Sequence, residues 1–212
     1  MRELGWALVV PVKRLATAKT RLRPGIPAGI GPARLVLAMA EDTVRAVRAC
    51  PVVAEVLVVT DDPEVTAALA GAGARVVPEP PVPGLNPAVS HGAGLLGRRP
   101  VAALAADLPA LRPDELARAL AAAGRVAGRG FVPDAAGTGT TLLAAPPGVP
   151  LAPQFGPGSA VRHLATGAHR LAGDWPSLRR DVDTAADLAA AGRLGLGAHT
   201  RALLAEPLAS GA

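Results

Sequence analysis

What most constrains this chain is an alternation. Short Val-rich apolar runs are followed by longer segments whose apolar residues recur at helical spacing. Residues 7–12, 52–60, 74–77 and 101–106 are the short runs, near-continuous in apolar character, as strands covered on both faces require. From Pro32 onward Leu35, Val36, Met39, Ala40, Thr43, Val44 and Val47 form one stripe, while Arg34, Glu41, Arg45 and Arg48 fall mainly on another face. Further helices are expected from Pro63 to about Ala70, over 86–97 and from near Pro113. Crossovers of that length join parallel strands. The expected fold is therefore α/β, with a mostly parallel central sheet and helices on both faces. At 212 residues one domain is expected, with ligands held outside the carboxyl ends of the strands.

Beyond residue 130 the rhythm changes. Residues 130–133, 140–145 and 178–182 read as strands between Gly- and Pro-rich turns, a smaller antiparallel extension. A helix is expected over 184–194, and the Gly- and Ala-rich tail beyond 195 is expected to be poorly ordered. Pro78, Pro80, Pro81 and Pro83 remove four backbone donors in six residues, so that stretch is a loop.

Composition narrows the function. Aromatic residues are 2% of the chain and Tyr is absent, so a nucleic-acid surface lacks stacking groups. The net charge of +5 is spread without a basic run, which favours small anionic substrates. Cys50 is the only cysteine, which excludes a disulfide framework and fits a reducing cytoplasm; at the end of a helical pattern it reads as a packing residue. The run at 7–12 is too short for a signal-peptide core or a membrane span, so no membrane association is expected.

Three groups of residues suggest chemistry. The loop after the first strand carries Lys13, Arg14, Lys19 and Arg21, and Lys13 and Lys19 are the only lysines among 22 basic residues. A lysine is a compact, mobile point charge and an arginine a planar fork, so placing both lysines in one loop points to phosphate rather than to generic solubility. A solvated basic loop is the alternative. No G-x-x-x-x-G-K-[ST] or G-x-G-x-x-G occurs. Asp107 closes the fourth strand, and Asp181 and Asp183 stand two apart, where an extended backbone turns both carboxylates to one side. Together they suit Mg2+ shared with substrate phosphates; the alternative is that Asp183 only caps the following helix and Asp107 its own turn. Lastly, Gly137-Thr138-Gly139-Thr140-Thr141 and Phe155-Gly156-Pro157-Gly158-Ser159 combine glycines with hydroxyls, either as a second anion site or as two ordinary turns. His163 reads as a surface or packing residue, and no hydrolase motif is present.

In these residues the chain resembles the CofC/FbiD guanylyltransferases of deazaflavin coenzyme F-420 biosynthesis. The resemblance runs over nearly the whole chain. It is carried by Pro11-Val12-Lys13 with Ala18-Lys19-Thr20-Arg21-Leu22, by Pro83-Gly84-Leu85-Asn86 and by Ala106-Asp107-Leu108-Pro109. The two glycine runs and Asp181-Val182-Asp183-Thr184 complete it. It implies a Rossmann-like nucleotidyltransferase fold and transfer of GMP from GTP to phosphoenolpyruvate, with 2-phospho-L-lactate or 3-phospho-D-glycerate as alternative acceptors. It implies that Lys13, Lys19 and Arg21 face the GTP phosphates as the catalytic cations, and that Asn86 lies at the guanine or ribose. Thr140, Gly156 and Ser159 would contact phosphoenolpyruvate, and Asp107, Asp181 and Asp183 would hold Mg2+. Functional coupling to the next transferase of the pathway is a further implication. A nonenzymatic GTP- or phosphate-binding module is the alternative of a different class.

Overall fold

This computed structural model describes residues 5–17 and 30–206. Four strands run parallel: β1 (Trp6–Pro11), β2 (Val53–Val59), β3 (Arg75–Val77) and β4 (Val101–Leu104), with β1 lying between β2 and β4. β6 (Thr140–Ala145) pairs antiparallel with β4, and β5 (Gly130–Pro133) antiparallel with β6. Among the described strands only β6 reverses direction, and β5 beyond it again runs with the first four. A two-residue β7 (His169–Arg170) closes the sheet beside β5, giving the order β3-β2-β1-β4-β6-β5-β7.

Helices cover both faces because β1 is apolar at every position. Leu8 and Val10 point into one layer and Ala7 and Val9 into the other, all with 0% exposure. The first layer takes Val44 and Val47 of α1 (Pro32–Arg48), Leu69 of α2 (Pro63–Gly71), and Leu116 and Leu120 of α4 (Pro113–Ala123). The second takes Ala88 and Val89 of α3 (Leu85–Gly94) and Ala160 of α5 (Ser159–Ala165). Gly92 lets α3 lie close to the sheet, since a Cβ there would stand 2.7 Å from Val9 Cγ1 and 2.9 Å from Val59 Cγ2.

Two expectations are corrected. Residues 178–182 do not form a strand; α6 (Pro176–Arg179) and an irregular link occupy them, with Leu178 and Val182 both fully buried. Leu178 is buried from the helix and Val182 from the link after it, so a spacing that suits alternation arises here without a strand. After α7 (Ala185–Leu194), residues 198–204 form a further helix, α8 (Ala198–Leu204), packed on α1. The Asp42 carboxylate, 6% exposed, accepts the amides of His199 (2.9 Å) and Thr200 (2.8 Å), and Leu203 is buried beside Leu35 and Met39. An acidic group inside α1 thus satisfies the first amides of α8, which composition could not show.

The reversal at β6 positions the site. Parallel strands present their carboxyl ends at one edge of the sheet, and an antiparallel neighbour presents its amino end there. Leu104 pairs with Leu142, and the Ala105 amide donates to the Thr141 carbonyl at 2.9 Å, so Thr140 begins where β4 ends. Strand order also reverses between β1 and β4, and that crevice is where open α/β sheets hold ligands.

Candidate active site

Lys13 lies two residues beyond β1, exposed, on a loop pinned at both ends. The Val12 amide continues the ladder to the Val59 carbonyl at 3.0 Å. The Leu15 amide donates to Asp62 Oδ2 at 2.9 Å, while Asp62 Oδ1 caps α2 through the amides of Glu64 (3.0 Å) and Val65 (3.2 Å). Those amides, Leu15 foremost, hold the Asp62 carboxyl below its ordinary range, with Arg14 adding to the effect. Neighbouring Asp61 accepts the Glu79 amide at 2.9 Å and so anchors the proline-rich loop. Between the two loops opens a cleft of about 260 Å³, lined by Val12, Lys13, Arg14, Glu79, Gly84 and Leu85 among others. Lys19 and Arg21 lie outside the described residues.

Asp107 stands three residues beyond β4, in a turn held by the fully buried Thr43 of α1. Thr43 Oγ1 accepts the Leu108 amide at 3.1 Å and shares its own proton between the carbonyls of Met39 (2.8 Å) and Ala106 (3.1 Å). The backbone on both sides of Asp107 is thereby fixed by one hydroxyl. Thr43→Val leaves the Leu108 amide without its partner and is expected to lower unfolding free energy by about 1–3 kcal/mol, measured by urea titration. An unchanged midpoint would remove Thr43 from this role.

The Val182 amide donates to the Asp107 carbonyl at 3.1 Å, which brings the segment carrying Asp181 and Asp183 to the end of β4. The cap of α7 is Thr184, in a reciprocal pair with Asp187, so capping is not the task of Asp183. Among the described residues no three or more His, Cys, Asp or Glu side chains come together as a metal-holding group.

Thr140 and Ser159 meet across 19 residues of sequence, Ser159 Oγ donating to Thr140 Oγ1 at 3.1 Å. Behind them lies His163, with 0% exposure, its Nδ1 2.9 Å from Thr140 Oγ1 and its Nε2 accepting the Gln154 amide at 3.0 Å. It is buried, as a packing residue would be, but it also makes polar contacts at both nitrogens; no sequence spacing announces this, because its partners are 23 and 9 residues away. The Gly156 φ of +120° favours glycine, and a Cβ there would approach Arg162 Nη2 to 3.3 Å.

The loop containing Gly156 is tied down from several directions. Arg162 donates to the carbonyls of Gln154 (2.9 Å) and Pro157, and Arg129 to those of Leu151 (3.3 Å) and Thr166. Asn86 makes a two-way clamp with the Phe155 backbone: the Phe155 amide donates to Oδ1 at 2.8 Å and Nδ2 donates to the carbonyl at 3.2 Å. In this structure the Asn86 side chain, on the α3 turn that carries the cleft residue Leu85, therefore holds the Gly156 loop. The first glycine run also differs from an open anion cradle. Its Thr138 and Gly139 amides already bind the Asp134 carboxylate at 2.9 and 2.8 Å, so they form an ordinary side-chain-closed turn.

Burial, followed by the positive charges of Arg129 and Arg162, lowers the His163 pKa from 6.5 to about 4. The unfolded chain takes up this proton near pH 6.5 and the folded chain only near 4, so the stabilising contribution is complete above pH 6.5 and disappears as pH falls toward 4. The expected loss is roughly 3 kcal/mol. Urea titrations of wild type and His163→Asn between pH 7 and 4.5 check this: the wild type should lose more, and parallel profiles would refute it.

Comparison with known proteins agrees with this geometry. Residues 37–170 match the MobA-like NTP transferase domain. Over 199 residues, 93% of this chain and 92% of the relative, the sequence is 63% identical to phosphoenolpyruvate guanylyltransferase of Salinispora arenicola. The chain belongs to the phosphoenolpyruvate guanylyltransferase family. A second relative of that name, from Geodermatophilus obscurus, is 59% identical over 204 residues, 94% of each chain. A solved nucleotidyl transferase from Methanothermobacter thermautotrophicus superimposes with a TM-score of 0.67 at 23% identity, covering 90% of this chain and 97% of that one, a likeness of fold. The family's fold is the mostly parallel sheet with an antiparallel extension described above, and no helix among the described residues is long and apolar enough to cross a membrane. In this member the structure brings the Thr140–Ser159 pair, Asp107 and the Lys13 loop to the same edge of the sheet, and ties the Asp181–Asp183 segment to Asp107.

Proposed function

We propose that this protein transfers GMP from GTP to phosphoenolpyruvate, releasing diphosphate and forming enolpyruvyl-diphospho-5'-guanosine. An oxygen of the acceptor phosphate attacks the α-phosphorus of GTP, and the bond from that phosphorus to the bridging oxygen of the β-phosphate breaks. No covalent enzyme intermediate is required. The protein's task is to position two polyanions and offset their mutual repulsion. In this reading Lys13, with Lys19 and Arg21 of the same loop, stabilises the triphosphate, and Thr140, Gly156 and Ser159 receive the acceptor. The observation that carries it is the Asn86–Phe155 clamp, which fastens the acceptor loop to the wall of the nucleotide cleft.

The carboxylates fit Mg2+ as a hard cation that keeps few protein ligands and completes its shell with phosphate oxygens and water. Asp107 would hold it with Asp181 or Asp183, whose segment the Val182–Asp107 backbone bond ties to the end of β4. Bound there, Mg2+ supplies positive charge to the phosphates. The test is incubation with GTP, Mg2+ and, separately, phosphoenolpyruvate, 2-phospho-L-lactate or 3-phospho-D-glycerate, with diphosphate release followed and the adduct identified by mass. Phosphoenolpyruvate is expected to give the guanylyl adduct. An adduct only from another acid overturns the acceptor, and none from any acid overturns the transfer.

A further inference from the structure

His163 is buried against two rings, Phe131 at a centroid distance of 5.7 Å and Phe155 at 5.3 Å edge-on, and each of its nitrogens meets a protein group. A backbone amide can only donate. The Gln154 amide therefore finds Nε2 as an unprotonated acceptor, and the neutral ring carries its proton on Nδ1, toward Thr140 Oγ1. Thr140 Oγ1 then accepts from both the ring and Ser159. A hydroxyl has two lone pairs and one proton, so with both lone pairs engaged Thr140 still has its O–H to give.

We propose that His163 is a positioning residue that sets the proton direction of the Thr140–Ser159 pair, so that the pair delivers one O–H to an anionic oxygen of the phosphorylated acid. The count of protons makes the ring's orientation decisive. With Nδ1 unprotonated, Thr140 would donate to the ring and Ser159 to Thr140, leaving no O–H for a ligand. With Nδ1–H, one remains. An O–H donor selects a carboxylate or phosphate oxygen, a group with only lone pairs to offer. The Gln154 amide fixes which nitrogen bears the proton, while the Gly156 loop that carries it is also held by Arg162, Arg129 and Asn86 and does not depend on the ring alone. This rests on the assignment of Thr140 and Ser159 to the acceptor.

Two substitutions separate the ring's two nitrogens. The amide of Asn overlays the Nδ1 side of a histidine and that of Gln the Nε2 side. His163→Asn keeps a donor for Thr140; His163→Gln keeps an acceptor for Gln154 and loses that donor. His163→Gln is expected to raise the KM for phosphoenolpyruvate about 10-fold with the KM for GTP unchanged, the loss of one hydrogen bond to a charged ligand. His163→Asn is expected to stay within about 3-fold of wild type, less than half of the same interaction energy. Nitrogen-15 NMR of the wild-type protein at pH 7 is expected to show the Nδ1–H tautomer, a readout that needs no variant to fold. An Nε2–H ring, or a KM for phosphoenolpyruvate that is wild-type in both substituted enzymes, overturns the proposal. If instead Thr140→Val and Ser159→Ala leave that KM unchanged, the acceptor assignment beneath it fails.

Discussion

Lys13→Ala is expected to lower the turnover of guanylyl transfer by about 10²–10³-fold, comparable to removing a single preorganised transition-state donor. Lys13 is exposed at the mouth of the cleft between the β1 loop and the proline-rich loop. The loop's geometry is secured by Val12, Leu15 and Asp62, which the substitution does not touch. Thermal unfolding should therefore be unchanged while turnover falls. Lys13→Arg should recover only part of the loss, because a planar fork does not follow a moving phosphoryl group as a compact ammonium does. Turnover of Lys13→Ala within threefold of wild type at saturating substrates would remove Lys13 from the transition state.

Asp107→Asn is the second large effect expected, about 10²-fold or more in activity at low Mg2+, with part of it regained as the metal concentration rises. The change swaps a charged oxygen for a neutral amide of almost the same shape. The contacts of the turn from Thr43 to Ala106 and Leu108 and from Val182 to the Asp107 carbonyl are made to backbone groups and survive the change. A loss of activity with unchanged stability then reads as lost charge at the phosphates, since a metal site with few protein ligands depends heavily on each one. Identical metal dependence in variant and wild type would sink the assignment.

The parts of the molecule that could be read in advance are those written in local periodicity. Near-continuous apolar runs marked β1, β2 and β4, with Glu55 near the start of β2 their one charged position, because a strand covered on both faces leaves little room for polar residues. The stripe from Leu35 to Val47 marked α1 for the corresponding reason at helical spacing. The place of Lys13 just after β1 was likewise visible, because it follows from the strand pattern. Where apolar residues were few the same logic misled: Leu178 and Val182 are spaced alike for a helical turn and a short strand. The segment that forms α8 looked featureless because its first amides are held by Asp42, more than 150 residues away.

Composition and periodicity thus determined an α/β sheet, and the run of matched motifs determined the family. Only the tertiary structure decided which groups face one another. The reversal of β6 turns Thr140 toward the end of β4, the Asn86 amide closes on Phe155, and His163 turns one nitrogen to Gln154 and the other to Thr140. Strand direction and hydrogen-bond polarity are properties of pairs of residues far apart in the chain, and local pattern carries no record of them.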